Sequence, residues 1–233
     1  MEKGFSNEQI EDFLKIISNK DEYYASYSEK AFLKNYDACD DYDLTEELID
    51  DIWQYMRFKF SGFVFPTIAT TPISILHTNA GSGKILEACP SKNVFINAMN
   101  NDYICKRISD LINASTSLDF TYNSSITDIS HFFINGDNGN TRKHDIVMTQ
   151  PSSNKYYSDI DGTRLSVLRP AEYYSLRSLD FLTKGGYLCV LVPSNKFNTL
   201  KINTELNNKA KLVKEIHNNR KFDEYGCLIY KKR

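Results

Sequence analysis

The apolar positions of the chain fall into two rhythms that change over near residue 60. Before that point they recur at helical spacing. Ser6-Asn7-Glu8-Gln9 has the form of an N-cap with a glutamine three residues on, and Ile10, Phe13, Leu14 and Ile17 follow on one face. Tyr23, Tyr24, Tyr27, Phe32, Leu33 and Tyr36 fit a second helix over 22–36. Thr45-Glu46-Glu47 opens a third, with Leu44, Leu48, Ile52 and Tyr55 on one side. Gly62, Pro66 and Pro72 then interrupt the pattern and place a boundary near 61–72.

From residue 73 short apolar runs alternate with helical stretches. Ile73–Leu76 reads as a strand, followed by the turn Ala80-Gly81-Ser82-Gly83 and a helix from Lys84. Val94–Met99 reads as a strand before a helix over about 102–113, and Leu118–Tyr122 and Asp145–Thr149 are further strands, the last after a polar loop over 136–143. A helix over 171–182 leads through Gly185-Gly186 into the apolar strand Tyr187–Val192. Lys211–His217 and Tyr225–Tyr230 close the chain as a turn-linked pair with an antiparallel edge. Alternating strands and helices with continuously apolar strands predict an α/β fold, a doubly wound Rossmann-like sheet that is mostly parallel. The expected organisation is a helical N-terminal extension over 1–60 and an α/β domain over 61–233.

Composition narrows this little and charge somewhat more. The 233 residues are 41% hydrophobic and 25% charged, enough for a sizeable core. No apolar run approaches the ~18 residues of a membrane helix, and Met1–Ser6 has no secretory h-region, so a cytoplasmic location and no membrane partner are expected. A formal charge of −2 is unlike that of a strongly basic nucleic-acid binder. Eight acids and no base lie between Asp37 and Asp51, whereas Lys196 to Arg233 holds ten bases against four acids. Five scattered cysteines form no C-x-x-C pair and four histidines no H-x-x-x-H spacing, so no metal site is expected.

The candidate chemistry begins at the first glycine turn. A strand that ends in a glycine turn and enters a helix is where such sheets receive nucleotides, because glycine lets backbone approach a ligand closely. The run is Ile75-Leu76-His77-Thr78-Asn79-Ala80-Gly81-Ser82-Gly83-Lys84. A P-loop is excluded, since Thr78 stands at its first glycine and Ile85 at its final hydroxyl position. The dinucleotide fingerprint is incomplete, with Leu86 at the third glycine. A plain helix-entry turn explains these residues equally well at this point.

Four segments together carry a resemblance. Ile75–Gly83 is similar to the first motif of class I S-adenosylmethionine-dependent methyltransferases, in particular the N6-adenine DNA methylase family, hydrophobic-hydrophobic-E-P-x-A-G-x-G. His144-Asp145-Ile146-Val147-Met148-Thr149-Gln150-Pro151-Ser152-Ser153 resembles that family's F-D-hydrophobic-hydrophobic-x-N-P-P-Y. Leu179–Pro193 looks like its L-x-x-L-K-x-G-G strand entry, and Leu212–His217 with Cys227–Lys232 like its last two strands. The resemblance covers about 73 to 233. It implies a seven-stranded methyltransferase sheet with an antiparallel last strand and S-adenosylmethionine held over the first glycine turn.

The resemblance places the donor against His77, Asn79, Ala80, Gly81 and Gly83, with Ala98 and Asn100 from the second strand. His77 and Ala98 stand where the family has acids for the donor's amino-acid and ribose moieties, and Ser124 where it has a third. Asn100, Asp102 and Asp128 lie nearby as substitutes. The catalytic tetrapeptide becomes Gln150, Pro151, Ser152 and Ser153. In the family the first side chain and the following proline carbonyl accept hydrogen bonds from the target amine, and the aromatic residue stacks on the flipped base. Gln150 is one methylene longer and Ser153 has no ring; Tyr156 and Tyr157 just downstream could supply one. Two functions stay open. One is a degenerate, non-catalytic subunit whose donor binding is lost or altered, partnering an active methylase through the acidic 37–51 or aromatic 22–36 segments. The other is an active methyltransferase on DNA or RNA, with Lys196, Lys201, Lys209, Lys211, Lys214, Arg220 and Lys221 as phosphate contacts. A restriction–modification context is implied by the resemblance alone.

Overall fold

The computed structural model describes residues 44–60, 72–89, 94–100, 106, 109, 120–126, 142–151, 157–158, 167–168, 170–218 and 225–233. The helices expected over 6–17 and 22–36, nearly all of the helix over 102–113, and Asp102, Asp128, Ser152, Ser153 and Tyr156 lie outside them.

Seven strands form one sheet: β1 (Ile73–His77), β2 (Val94–Asn100), β3 (Phe120–Ile126), β4 (His144–Thr149), β7 (Leu182–Pro193), β8 (Ala210–Ile216) and β9 (Tyr225–Lys232). Their order is β3-β2-β1-β4-β7-β9-β8. The first five are parallel, and β9 runs antiparallel to both β7 and β8. The expected antiparallel last strand is therefore an interior one, and β8 forms the edge. Tyr157–Ser158 (β5) and Val167–Leu168 (β6) make a separate antiparallel pair.

Burial explains which runs became strands. Every residue of β1 is buried, as are Ile146–Thr149 of β4 and the first six of β9, which is what a strand covered on both faces requires. β7 starts five residues earlier than the apolar run suggests. It pairs Leu182 with His144, breaks register, and resumes with Tyr187 opposite Ile146. Gly185 (φ 80°) makes that excursion possible, and a Cβ at Gly186 would lie 2.9 Å from the Asp145 carbonyl.

Each face has its own cover. Helix α1 (Glu46–Arg57) is capped by Thr45, whose hydroxyl accepts from the Leu48 amide, with Glu46 and Glu47 in its first turn and Arg57 in its last. Its Leu48, Ile49, Ile52, Trp53 and Met56 join Ile73, Ile75, Ile96, Ile146 and Cys227 in one apolar cluster. The opposite face packs Leu76, Val147 and Leu188 against α3 (Pro170–Asp180) through Tyr173, Tyr174 and Leu179. Phe197, Leu200 and Leu206, from α4 (Phe197–Lys201) and α5 (Thr204–Lys209), complete that layer. No helix among the described residues is long and apolar enough to cross a membrane.

Candidate ligand site at the carboxyl ends of the strands

β1 ends at His77, and the chain turns through Thr78–Gly83 into the single-turn helix α2 (Lys84–Glu87). The turn depends on glycine at two places: Gly81 has φ 54° and Gly83 φ 76°, the left-handed region that costs other residues. Three hydrogen bonds draw it onto neighbouring strands. The Thr78 amide donates to the Met148 carbonyl (3.0 Å), the Ala80 amide to the Met99 carbonyl (2.9 Å), and the Thr78 hydroxyl to that of Thr149 (2.8 Å). Asn79 Nδ2 donates to the Gln150 carbonyl at 2.8 Å. One short loop thus touches the ends of β2 and β4 together.

Two more contacts fasten the turn to α1. The Trp53 indole N–H donates to the Ile85 carbonyl (2.6 Å), and Lys84 Nζ donates to the Leu44 carbonyl (2.7 Å). The sole tryptophan of the sequence and the lysine after the second glycine therefore link the N-terminal helix to the candidate site. Sequence reasoning missed this link, for which the lone tryptophan on the apolar face was the available signal.

The resemblance-derived residues separate into two kinds. Ala98 pairs with His77 in register but packs into the apolar cluster, and β2 continues two residues further, so Asn100 is its terminal residue. Ser124 lies inside β3, opposite Ala98 rather than beyond the strand end. Tyr157 belongs to the β5–β6 pair. His77, Asn79, Ala80, Gly81 and Gly83 share one turn. Gln150 and Pro151 follow β4, both buried.

His77 and Asn100 are unusual in their hydrogen bonding. Both are buried, at 0% and 1% exposure, yet neither ring nitrogen of His77 nor either amide atom of Asn100 has a hydrogen-bond partner. Among the described residues they are the two buried side chains with two polar atoms each, both orphaned. Leaving such a group unsatisfied costs about 1–3 kcal/mol. Burial alone pushes the His77 pKa down to about 3, so the ring is a neutral imidazole, one nitrogen donating and one accepting. Residues 77–83, 98–100 and 149–151 include no charged side chain.

The orphaned atoms of His77 and Asn100 thus lie at the ends of β1 and β2, beside the left-handed glycine turn.

The other candidates lie elsewhere. Glu46, Glu47, Asp50 and Asp51 are exposed on α1. The lysine run is divided: Lys201 pairs with Glu215 (2.6 Å) and Lys209 with Glu205 (2.8 Å), while Lys211 and Lys214 are exposed on the edge strand β8. A hollow of about 320 Å³ between α1 and the end of β8, lined by Tyr55, Phe58, Lys214 and His217, is four strands away from β1.

No family model matches the chain, and no curated protein is similar to it in sequence. Solved structures do share its fold. A type I restriction-modification methyltransferase subunit from Streptococcus thermophilus superposes with a TM-score of 0.56 at 13% identity, over 82% of this chain and 45% of that one. Magnesium protoporphyrin IX methyltransferase from Synechocystis, solved with S-adenosylhomocysteine bound, gives 0.54 at 9% identity over 97% and 95%. A methyltransferase from Streptococcus mutans described as S-adenosylmethionine-dependent gives 0.51 at 11% identity over 70% and 45%. The chain spans about half the length of the two streptococcal proteins. The likeness shows a class I methyltransferase-type fold, as the sequence led one to expect.

Proposed function

We propose that the chain is a methyltransferase-like protein that keeps an adenosyl-ligand site at the ends of β1 and β2, lacks methyl transfer, and serves as a binding subunit. The template it resembles is the N6-adenine DNA methylase pattern, and an active methylase is the partner this suggests. S-adenosylmethionine, when bound, supplies a methyl group activated for nucleophilic attack.

The observation that carries the reading is the state of Gln150. In the resembled family the residue at this position turns its side chain to the target amine. Here the Gln150 residue is 3% exposed, and its backbone carbonyl accepts from Asn79 Nδ2. Transfer by positioning tolerates little displacement; about 1 Å can cost ~100-fold in rate. The longer side chain and its burial both work against presentation to a flipped base. Glu46, Glu47, Asp50 and Asp51, exposed on α1, offer an acidic face for a protein partner and a poor one for phosphates. The solved type I restriction-modification subunit of similar fold makes a multi-subunit setting the natural one to test.

The test is calorimetric titration of the purified chain with S-adenosylmethionine, then incubation with tritiated donor and adenine-containing DNA. Micromolar binding without incorporation is expected. Incorporation that Gln150→Ala abolishes would establish the alternative, an active nucleic-acid methyltransferase.

A further inference from the structure

We infer that the rim of the sheet at the amino ends of its parallel strands, built on Lys184, Lys211 and Lys231, is a contact surface for the phosphate backbone of a nucleic acid. This rim lies at the other end of the strands from the glycine turn, and the inference stands independently of the adenosyl-site reading. Three observations converge.

The first is placement. β4, β7 and β8 begin at this rim, and β9, running the other way, ends there. Lys211 stands directly opposite Lys231, and Lys231 in turn opposite Tyr187 on β7. Directly opposed residues share a face of the sheet, with Cβ atoms about 5 Å apart. Lys231 Nζ lies 5.6 Å from the centre of the Tyr187 ring, and its Cε would be 3.9 Å from a Cβ on Gly185, the residue after Lys184. Three exposed lysines thus cross three neighbouring strands. Such a row is about 10 Å wide, the axial span of about three phosphates on one strand.

The second is the crowding of like charge. Like charges directly opposite one another on paired strands are destabilising. A lysine on an edge strand can guard against unwanted pairing, but Lys231 is on the interior strand β9 and Lys184 on the interior strand β7, where no guard is needed. Behind the row, Lys232 donates to the carbonyls of Leu179 (2.6 Å) and Leu182 (3.0 Å), and Lys143 to that of Asp180. Burial, then the Lys143 and Lys209 ammoniums, push the Lys232 pKa down, with Asp180 acting the other way. The carboxylates described among these bases are already engaged: Asp145 by the Ser74 amide (2.9 Å), Asp180 by Arg177 (3.7 Å) and Glu205 by Lys209 (2.8 Å). A row of phosphates would offset the repulsion that remains.

The third is polarity. Among the described residues the exposed large apolar side chains are Phe58, in the hollow beside Lys214 and His217, and Ile202, just after α4. Neither stands on β7, β8 or β9. Protein interfaces centre on apolar and aromatic side chains, whereas nucleic-acid interfaces are more polar and much more positive. The lysine row is of the second kind. The acidic outer side of α1 is then the face for a protein, and the rim the face for a nucleic acid.

Fluorescence anisotropy of short labelled duplexes of DNA and of RNA, titrated with the whole chain at several salt concentrations, tests this. Binding to either should weaken with salt, with log K falling against log salt at a slope of about −3, or roughly −0.9 per phosphate. Lys184→Gln, Lys211→Gln and Lys231→Gln should each make that slope shallower by about one. The triple variant should bind about tenfold more weakly or worse. Lys196→Gln, exposed after β7 at the carboxyl ends, should change neither quantity. Thermal unfolding verifies that each variant is folded. A wild type that binds neither duplex, a triple variant that binds normally, or an equal loss in Lys196→Gln would overturn the inference. So would polyglutamate bound as tightly through the same lysines, since the surface would then fit an acidic polypeptide. None of these outcomes depends on S-adenosylmethionine, so failure here leaves the donor-site reading untouched.

Discussion

Two buried histidines sit at opposite ends of the sheet, and their surroundings differ in one respect. His144 opens β4 at the amino ends of the parallel strands; His77 closes β1 at the carboxyl ends. Burial lowers both pKa values, to about 4 for His144, where Arg142 adds to the effect, and to about 3 for His77. His144 Nδ1 lies 2.8 Å from the Ser74 hydroxyl, and Asp145 next to it accepts from the Ser74 amide at 2.9 Å. His77 has no partner at all. Around His144 the polar groups are matched within the chain, whereas at the carboxyl ends the polar atoms of His77 and Asn100 are left unmatched.

The largest expected effect uses the property the two share. Each histidine binds its proton more weakly folded than unfolded, so the unfolded state takes up more protons between the ordinary value of 6.5 and the depressed one. Stability is therefore full above about pH 6.5 and falls as pH is lowered toward 4 and 3. Each histidine should remove about 2 kcal/mol between pH 6.5 and 5. Urea unfolding at a series of pH values measures this, and His77→Leu should remove about half of the slope. A flat profile would mean that neither ring is buried in solution as described.

Next comes the effect on which the two should part. His144→Leu leaves the Ser74 hydroxyl unmatched and should destabilise by about 1–3 kcal/mol in the same denaturation experiment. His77→Leu, which removes two orphaned buried atoms, should instead raise stability. Equal signs would erase the contrast between the two ends.

The smallest effect concerns the turn itself. Asn79→Ala removes the donor to the Gln150 carbonyl and should cost about 0.5–1.5 kcal/mol. Its loss should loosen ligand binding more than overall stability, read as a larger change in dissociation constant than in Tm. A purely structural loop would show the reverse.

Much of this architecture was legible because burial on both faces leaves a plain trace. Ile73–Leu76, broken only by Ser74, and Ile146–Met148 are apolar runs, and the alternation with helices led directly to a mostly parallel sheet. Where a strand is interrupted, the trace fails. Gly185-Gly186 reads as a break, yet β7 pairs on both sides of it, because a left-handed glycine carries the chain through a register shift. The α4–α5 layer left a faint signal: Phe197, Leu200 and Leu206 are its buried apolar anchors in an otherwise polar stretch. Asn203, whose side chain accepts from the Leu206 amide, is the cap that marks it.

The candidate site was legible as a list of positions but not as a set of relations. Motif spacing led to His77, the glycine turn and Gln150. It put the family's second acid on Ala98, whereas β2 carries on to Asn100. Whether a buried side chain finds a partner depends on neighbours far away in sequence, so the orphaned atoms of His77 and Asn100 have no counterpart in any local pattern.

The bonds from Trp53 to Ile85 and from Lys84 to Leu44 give α1 a further significance. Residues 44–57 and the segment after the second glycine, separated by some thirty positions along the chain, form a cooperative unit: amide exchange should open them together. A macromolecule resting on the acidic outer side of this helix would therefore be mechanically coupled to the glycine turn, without touching it.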